Sequence, residues 1–235
     1  MKRLIITIDG PAGAGKTTVS REIADRLNYK YIDTGALYRG IAFEVRYAGV
    51  GQDDDMGLEN LCSTLNLNFV KDERGLRLLS NNSDITDQIR TPEISMLASA
   101  VSARPVVRKY LLYLQRSMGR EKGVVFEGRD MGTVVFPDAD IKFYLNASQK
   151  VRAIRRYREL ESKSSQTLEE VEIEIGLRDE NDRKREVAPM KPADNAVIVD
   201  STDLSVNEVV EMMLSYISSF APPLCNKSFK GQGIR

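Results

Sequence analysis

The sequence has 235 residues with 34 basic and 34 acidic side chains, so its formal net charge is zero at neutral pH. A balanced charge gives no support for binding to duplex nucleic acid, and no apolar run is long enough to predict a membrane span. The chain contains no histidine, which excludes Ser-His-Asp hydrolysis, Cys-His proteolysis and histidine-ligated metals.

The cysteines and the first residues bear on location. Cys62 and Cys225 are far apart in the sequence, which favours reduced thiols over a disulfide framework. The first predicted strand begins directly after Met1-Lys2-Arg3, which leaves no room for a signal peptide. Both features predict a cytoplasmic protein.

A glycine-rich segment joins a predicted strand, Leu4–Ile8, to a predicted helix, Lys16–Leu27. Within it, Gly10–Thr17 matches G-x-x-x-x-G-K-[ST], the phosphate-binding P-loop. Glycines let the backbone curve round a phosphate with its N–H groups pointing inward, and the helix dipole adds positive potential. We expect Lys16 at the β- and γ-phosphates and the Thr17 hydroxyl on Mg²⁺. The residues predicted to bind ATP are Gly10, Pro11, Ala12, Gly13, Ala14, Gly15, Lys16, Thr17 and Thr18.

The elements after this helix predict a parallel α/β fold. A second strand at Tyr29–Ile32 completes a βαβ unit, and a helix follows from Asp33-Thr34-Gly35 to about Ala48. Asp53–Asp55 cap a short helix that runs through Leu61 and Leu65. We therefore predict a parallel sheet with helical crossovers.

An antiparallel subdomain is predicted within this fold at about residues 60–90. Leu67–Val70 and Leu76–Leu79 flank the polar turn Lys71–Gly75, which is a hairpin signal, and a third short strand follows near Asp84-Ile85. Strands joined in this way belong to a separate small sheet.

The second half of the chain alternates helices and strands again. Thr91-Pro92 starts one helix and Pro105 starts the next, which reaches about Arg120. Thr167 and Glu170 form a capping box at the start of a long helix. The remaining predicted elements are strands at 123–127, 141–145 and 196–200, helices at 148–163, 167–186 and 205–219, a break at 162–166, and an unpacked tail at 220–235.

Several charged side chains follow these elements in positions that suit phosphoryl transfer. Glu127 ends an apolar strand, where a carboxylate is able to hold a water bound to Mg²⁺; the alternative is an ordinary polar strand end. Arg129 lies just past the carboxyl end of the same strand, where α/β folds bind ligands. Phosphoryl transfer depends on positioning and charge neutralisation rather than on a catalytic base, and arginine binds phosphate through two parallel hydrogen bonds.

A second interpretation is open for two groups of charges. Glu174 with Arg178 and Asp182 with Glu186 are helical neighbours that a solvated face would also explain. The basic run Arg152–Arg158 is explained about equally well by solvent exposure or by a role at the transferring phosphoryl group, and the lack of a catalytic base favours the second.

Four segments together resemble bacterial cytidylate kinases over about residues 3–219. They are the P-loop, the Asp33–Arg39 segment, the run Gly128–Ala139 and the Arg178–Arg183 segment. The third is much more specific than the P-loop, which many NTPases share. The resemblance implies one nucleoside monophosphate kinase domain at 1–219, with a monophosphate-binding region at about 33–104 and a helical lid at about 156–167. The antiparallel insertion at 60–90 fits the subdomain that this family carries.

The resemblance also implies roles for individual residues. Contacts to the CMP phosphate are implied for Thr34, Arg39, Arg129 and Arg185. Cytosine contacts are implied for Ser99, Arg108 and Asp130, and ribose contacts for Arg178 and Asp182. The residues expected to stabilise the transferring phosphoryl group are Lys16, Arg129, Arg156 and Arg185.

The function implied is direct, Mg²⁺-dependent phosphoryl transfer from ATP to CMP or dCMP by a monomer without nucleic-acid or membrane partners. Another kinase on the same core, acting on UMP, AMP or shikimate, is the alternative, but it explains the Gly128–Ala139 run less well. A GTPase-like switch would carry an N-K-x-D string, which the sequence lacks. A nucleotide-dependent binding module is the remaining alternative.

Overall fold

The computed structural model describes residues 3–161 and 165–220. Residues 162–164 of the expected lid and residues 221–235 of the expected tail lie outside the described residues. In chain order the elements are β1 (Ile5–Asp9), α1 (Lys16–Leu27), β2 (Lys30–Asp33), α2 (Thr34–Ala48), α3 (Asp55–Thr64), β3 (Leu67–Asp72), β4 (Gly75–Ser80), β5 (Ser83–Asp84), α4 (Pro92–Val101), α5 (Pro105–Met118), β6 (Val124–Gly128), a π-helical turn (Met131–Val135), β7 (Ile141–Asn146), α6 (Gln149–Leu160), α7 (Leu168–Lys184), β8 (Val197–Asp200) and α8 (Val206–Phe220).

In the described part of the chain, five parallel strands form the central sheet in the order β2-β6-β1-β7-β8. The middle strand, β1, places Ile6 opposite Val125 on one side and Ile141 on the other. Apolar side chains fill both faces because helices cover both. Val125 packs with α1 and α8 on one face, and Phe126 packs with α5 and the π-helical turn on the other. The predicted parallel α/β fold is confirmed.

The small antiparallel sheet has the order β3-β4-β5 among the described residues and lies between α3 and α4 in the sequence. Leu67 and Leu78 pack towards Gly40 of α2, where an added Cβ would lie 3.0 Å from the Leu78 side chain. The insertion therefore shares a core with α2 to α5. Its position confirms the antiparallel subdomain predicted from the hairpin pattern.

The parallel strands end at one edge of the sheet and place polar side chains there. Asp9, Asp33 and Glu127 lie at or next to the carboxyl ends of three neighbouring strands, and all three are buried. Ligands of open α/β sheets bind at this edge. The described helices include none that is long and apolar enough to cross a membrane.

Candidate active site

Glycines at three positions determine the path of the P-loop. Gly10, Gly13 and Gly15 have φ angles of +146°, +72° and +88°, which other residues adopt only with strain. A Cβ at Gly10 would also lie 2.0 Å from the carbonyl oxygen of Leu145. Only glycine therefore lets the loop turn this closely against β7 before α1 begins at Lys16.

A cavity of about 440 Å³ lies at this edge of the sheet. Its walls come from the P-loop, the first turns of α2, the end of β6, one face of α4 and the facing sides of α6 and α7. The cavity brings together the predicted site residues Ala12, Gly13, Ala14, Gly15, Lys16, Thr17, Thr18, Thr34, Arg39, Ser99, Glu127, Arg129, Asp130, Arg156, Arg178, Asp182 and Arg185. Gly10, Pro11 and Arg108 do not line it.

Glu127 is anchored through one of its two carboxylate oxygens. Oε1 accepts hydrogen bonds from the Thr17 hydroxyl over 2.9 Å and from the Tyr31 hydroxyl over 2.6 Å. Oε2 is buried and has no hydrogen-bond partner among the described residues. Burial raises the pKa of this carboxyl group, and the nearby charge of Asp33 raises it further. The second oxygen thus remains available to a ligand in the cavity.

Lys16 is a buried cation with an unusually low pKa. Its side chain is 8% exposed, and its Nζ donates to the carbonyl oxygen of Pro11 over 2.7 Å. Burial, followed by repulsion from Arg129, lowers the pKa of Lys16 to about 7. An anion in the cavity would relieve both effects.

Ion pairs hold the arginines between the two ends of the cavity. Arg129 donates through Nε to Asp182 over 2.9 Å. Arg178 lies 3.9 Å from Glu174, and burial followed by repulsion from Arg129 lowers the pKa of Arg178 to about 10. Arg156 lies 3.1 Å from Glu159 at the end of α6. These cations are concentrated where a transferring phosphoryl group would need charge stabilisation.

The opposite end of the cavity contains a buried cluster of polar side chains. Asp130 is 2% exposed, pairs with Arg108, and lies 3.5 Å from Arg185. Burial raises the pKa of Asp130, although both arginines oppose that shift. Ser99 Oγ is buried without a hydrogen-bond partner among the described residues, and Ser102 Oγ accepts from Arg185 over 3.1 Å. An unpaired hydroxyl beside a carboxylate suits a polar heterocycle.

Thr34 and Arg39 occupy the wall between the P-loop and this cluster. Thr34 donates through its hydroxyl to the backbone oxygen of Glu127 over 2.6 Å, and Arg39 donates to Asp33 over 2.9 Å. Burial acts to raise the pKa of Asp33, but the cations of Arg39 and Arg90 prevail and the pKa is lowered. The wall is therefore electropositive at a point where α2 begins.

Neither interpretation of the basic run Arg152–Arg158 applies to all of its arginines. Of its arginines, only Arg156 lines the cavity. Arg152 is buried in an ion pair with Asp179, and Arg155 donates to Ser201 at the far side of the P-loop. Arg158 is exposed. The spacing of these arginines shows which of them share a face of α6, because residues three or four positions apart do so. It does not show which face is buried, because that depends on packing against α7.

The solvated-face interpretation of α7 is also wrong for its cavity side. Arg178 and Asp182 line the cavity, and Asp182 is buried. Arg183, which ends the segment that carries the resemblance, is exposed and lies outside the cavity. A helix with charges on every side can still bury one of its faces in an active site.

Several residues that shape the site were not among those predicted from the sequence. Asp9 accepts hydrogen bonds from the backbone N–H groups of Met131, over 2.9 Å, and Gly132, over 2.8 Å, and it thereby holds the π-helical turn. Burial raises the pKa of Asp9 to about 6. Tyr31 positions Glu127, and the cavity is also lined by Tyr38, Arg90 and Ser102. The only sequence signal for Asp9 is its place directly before the P-loop.

The fold and the site together define an α/β protein with a P-loop at the carboxyl edge of its parallel sheet. Among solved structures, a gluconokinase from Sinorhizobium meliloti has a TM-score of 0.50 at 15% identity, covering 93% of this chain and 94% of that chain. A shikimate kinase from Bacteroides thetaiotaomicron has the same score and identity, with coverages of 92% and 98%. Likeness at this identity concerns the fold alone.

The sequence relatives identify the family. The cytidylate kinase family profile matches residues 6–219. A curated cytidylate kinase from Geobacter sulfurreducens is 52% identical over 215 residues, which cover 91% of this chain and 92% of that protein. A cytidylate kinase from Syntrophotalea carbinolica is 44% identical, with 98% of both chains covered. The chain belongs to the cytidylate kinase family and is an enzyme, a kinase with a nucleotide-binding P-loop.

Proposed function

We propose that this protein transfers the γ-phosphoryl group of ATP to CMP and dCMP in a Mg²⁺-dependent reaction. The observation that carries the proposal is the two-ended cavity. The P-loop lines one end, the buried Asp130 cluster lines the other, and cations lie between them. Membership in the cytidylate kinase family supports the choice of CMP over UMP, AMP and shikimate.

The triphosphate end has the groups that a magnesium-bound nucleotide requires. Lys16 supplies a cation, and the amides at the start of α1 supply donors for phosphate oxygens. Mg²⁺ keeps several waters and binds through one or two protein oxygens together with phosphates. Thr17 and the unpaired Oε2 of Glu127 fit that donor set, the second through a water. When bound, the ion neutralises charge on the phosphates; the described residues include no cluster of three carboxylates or thiols that would hold it alone.

The acceptor end fits a cytosine nucleotide by the sign of its hydrogen bonds. A carboxylate only accepts, so Asp130 is able to bind the exocyclic amino group of cytosine but would oppose the carbonyl of uracil. Ser99 is assigned to the rest of the base edge. Arg108, which does not line the cavity and pairs with Asp130, is assigned to the base through its hold on that carboxylate. Thr34, Arg39, Arg129 and Arg185 are assigned to the phosphate, and Arg178 and Asp182 to the sugar.

The reaction proposed for this site is direct in-line transfer without a dedicated general base. The lining carboxylates Asp33, Asp130 and Asp182 are paired with arginines, and Glu159 is paired with Arg156. Glu127, whose Oε2 has no partner among the described residues, is assigned to a water on Mg²⁺ rather than to proton transfer. Lys16, Arg129, Arg156 and Arg185 are assigned to stabilising charge on the transferring group, which is the main catalytic requirement of such reactions.

The domain organisation is part of the proposal. The region at about 33–104 would bind the monophosphate, and the stretch at about 156–167 would act as a lid, because Arg156, Glu159 and Leu160 already line the cavity. Closure would exclude water and so limit hydrolysis of ATP. Cytoplasmic location and a monomeric state remain predictions.

An ADP-release assay with a panel of acceptors tests this proposal. CMP and dCMP are expected to stimulate ADP formation well beyond UMP, AMP or shikimate, and removal of Mg²⁺ is expected to abolish it. Equal stimulation by UMP, or ADP formation that needs no acceptor, would contradict the proposed function.

A further inference from the structure

A buried ion pair outside the cavity holds the P-loop. Arg152 of α6 and Asp179 of α7 are 4% and 1% exposed, respectively, and they pair with each other. Asp179 Oδ1 accepts the N–H of Ala12 over 2.9 Å, and Arg152 Nη1 donates to the carbonyl oxygen of Ala12 over 2.8 Å. Both backbone polar groups of one P-loop residue are thus bound by one ion pair.

The P-loop also packs closely against α6 next to this ion pair. A Cβ at Gly13 would lie 2.6 Å from the backbone oxygen of Arg152. Arg152 is itself fixed by a hydrogen bond from its Nε to the carbonyl oxygen of Ala147 over 3.0 Å. Neither Arg152 nor Asp179 lines the cavity. Their contact with the site runs through the P-loop backbone, and Asp179 also attracts the cavity cations Lys16 and Arg129.

We infer that Arg152 and Asp179 are positioning residues that hold the P-loop in the conformation that accepts the phosphates of ATP. Because the N–H of Ala12 is committed to Asp179, the amides left for phosphate are those that follow it in the loop and in the first turn of α1. Burial of two charges is costly, and it is compensated only when the geometry satisfies both groups. Here that geometry includes the P-loop peptide itself. The inference rests on the proposed function in taking ATP as the ligand of the P-loop.

The pair also connects the loop to both helices that flank the proposed lid. α6 ends at Leu160 and α7 begins at Leu168, and each helix contributes one member of the pair. A shift of either helix would change a hydrogen bond to Ala12. The hydrogen bonds to Ala12 therefore couple the position of these helices to the shape of the phosphate site.

The decisive variant is the double substitution Arg152→Met and Asp179→Leu, measured in the full chain. It removes one positive and one negative charge, so the formal charge is unchanged and no lone charge is left buried, although the attraction of Asp179 for Lys16 is removed as well. The variant loses both side-chain hydrogen bonds to the backbone of Ala12. We expect the Kd for ATP to rise about tenfold or more, while the Kd for CMP changes less than about twofold. Arg152→Lys keeps the charge pair but lacks the guanidinium fork, so it is expected to weaken ATP binding less.

A second ion pair of similar chemistry provides the matched control. Asp140 accepts the N–H of Ile5 over 2.8 Å and pairs with Lys122 over 2.9 Å, away from the cavity. Asp140→Asn is expected to lower the melting temperature without changing either affinity. Unchanged ATP affinity in the double variant, or a parallel loss of ATP and CMP affinity together with melting temperature, would overturn the inference.

Lys16→Ala separates this inference from the function on which it rests. If Lys16→Ala leaves ATP binding intact, the P-loop is not the ATP site and the proposed function fails. If Lys16→Ala weakens ATP binding and the double variant does not, only the positioning role of Arg152 and Asp179 fails.

Discussion

The low pKa of Lys16 predicts that ATP binding takes up a proton. With a pKa of about 7, the free amine would be neutral in roughly nine-tenths of molecules at about pH 8. The negative charge of a triphosphate favours the ammonium form and raises the pKa. We therefore expect an uptake of about 0.9 protons per ATP at about pH 8 and about 0.5 at about pH 7.

Proton uptake has a second consequence for affinity. When ATP binds to the neutral form of Lys16, a proton must be taken up from the solvent. The affinity for ATP is therefore expected to fall as the pH rises above about 7. The slope approaches about tenfold per pH unit between about pH 8 and 9, because a proton taken up on binding makes the equilibrium proportional to proton concentration. Phosphate groups of ATP are already ionised in this range, since the second pKa of a phosphomonoester is about 6.

Calorimetry in buffers of different ionisation enthalpy measures the uptake directly. The binding enthalpy plotted against the ionisation enthalpy of the buffer has a slope equal to the number of protons, with Mg²⁺ held in constant excess. Lys16→Arg is the control, because a guanidinium keeps its charge throughout this range. A zero slope for the wild type, or an equal slope in Lys16→Arg, would refute the electrostatic account of the cavity.

Other predictions concern the base, the sheet edge and the lid. Asp130→Asn is expected to lower kcat/KM for CMP more than for UMP. The ratio of the two constants should fall by about 10- to 100-fold, because an unpaired buried group costs roughly 1–3 kcal/mol. An unchanged ratio would leave Asp130 only the role of fixing Arg108 and Arg185. Folding raises the pKa of Asp9 to about 6, so the folded state favours the protonated carboxyl group. The free energy of unfolding is therefore expected to fall by about 3 kcal/mol as the pH rises from about 4 to 6. Denaturant unfolding of Asp9→Asn should not show this fall. If the free energy of unfolding of the two proteins has the same pH dependence, the prediction is wrong. Tryptic cleavage at residues 158–165 is expected to slow when a bisubstrate analogue is bound but not with either nucleotide alone; equal rates would argue against a lid.

Local sequence signals predicted most elements because each depends on a few neighbouring residues. The helical spacing of Val19 and Ile23 predicted α1 with its observed bounds. The capping box of Thr167 and Glu170 is present at the start of α7. The predicted end of α7 was two residues late, since Lys184 is its last residue. Arg185 has left the helix and donates through Nε to the carbonyl oxygen of Ala188.

Features that depend on contacts between distant segments were not predictable from the pattern. The π-helical turn at Met131–Val135 is held by Asp9, which lies more than a hundred residues earlier in the chain. The buried role of Arg152 depends in the same way on Asp179 of another helix. The sequence shows only that such residues are charged. Whether a charged side chain is buried depends on the partner that packs against it. Resemblance named Arg108, but only the structure places it against Asp130.

The central claim is direct transfer of the γ-phosphoryl group to CMP, and labelled ATP tests it most directly. ATP that carries a radioactive γ-phosphorus is incubated with CMP, Mg²⁺ and a catalytic amount of the protein, and the products are separated by chromatography. We expect the label to appear in CDP in equal amount to the ADP formed, with none retained on the protein after denaturation. Label recovered as inorganic phosphate, or bound covalently to the protein, would contradict the account.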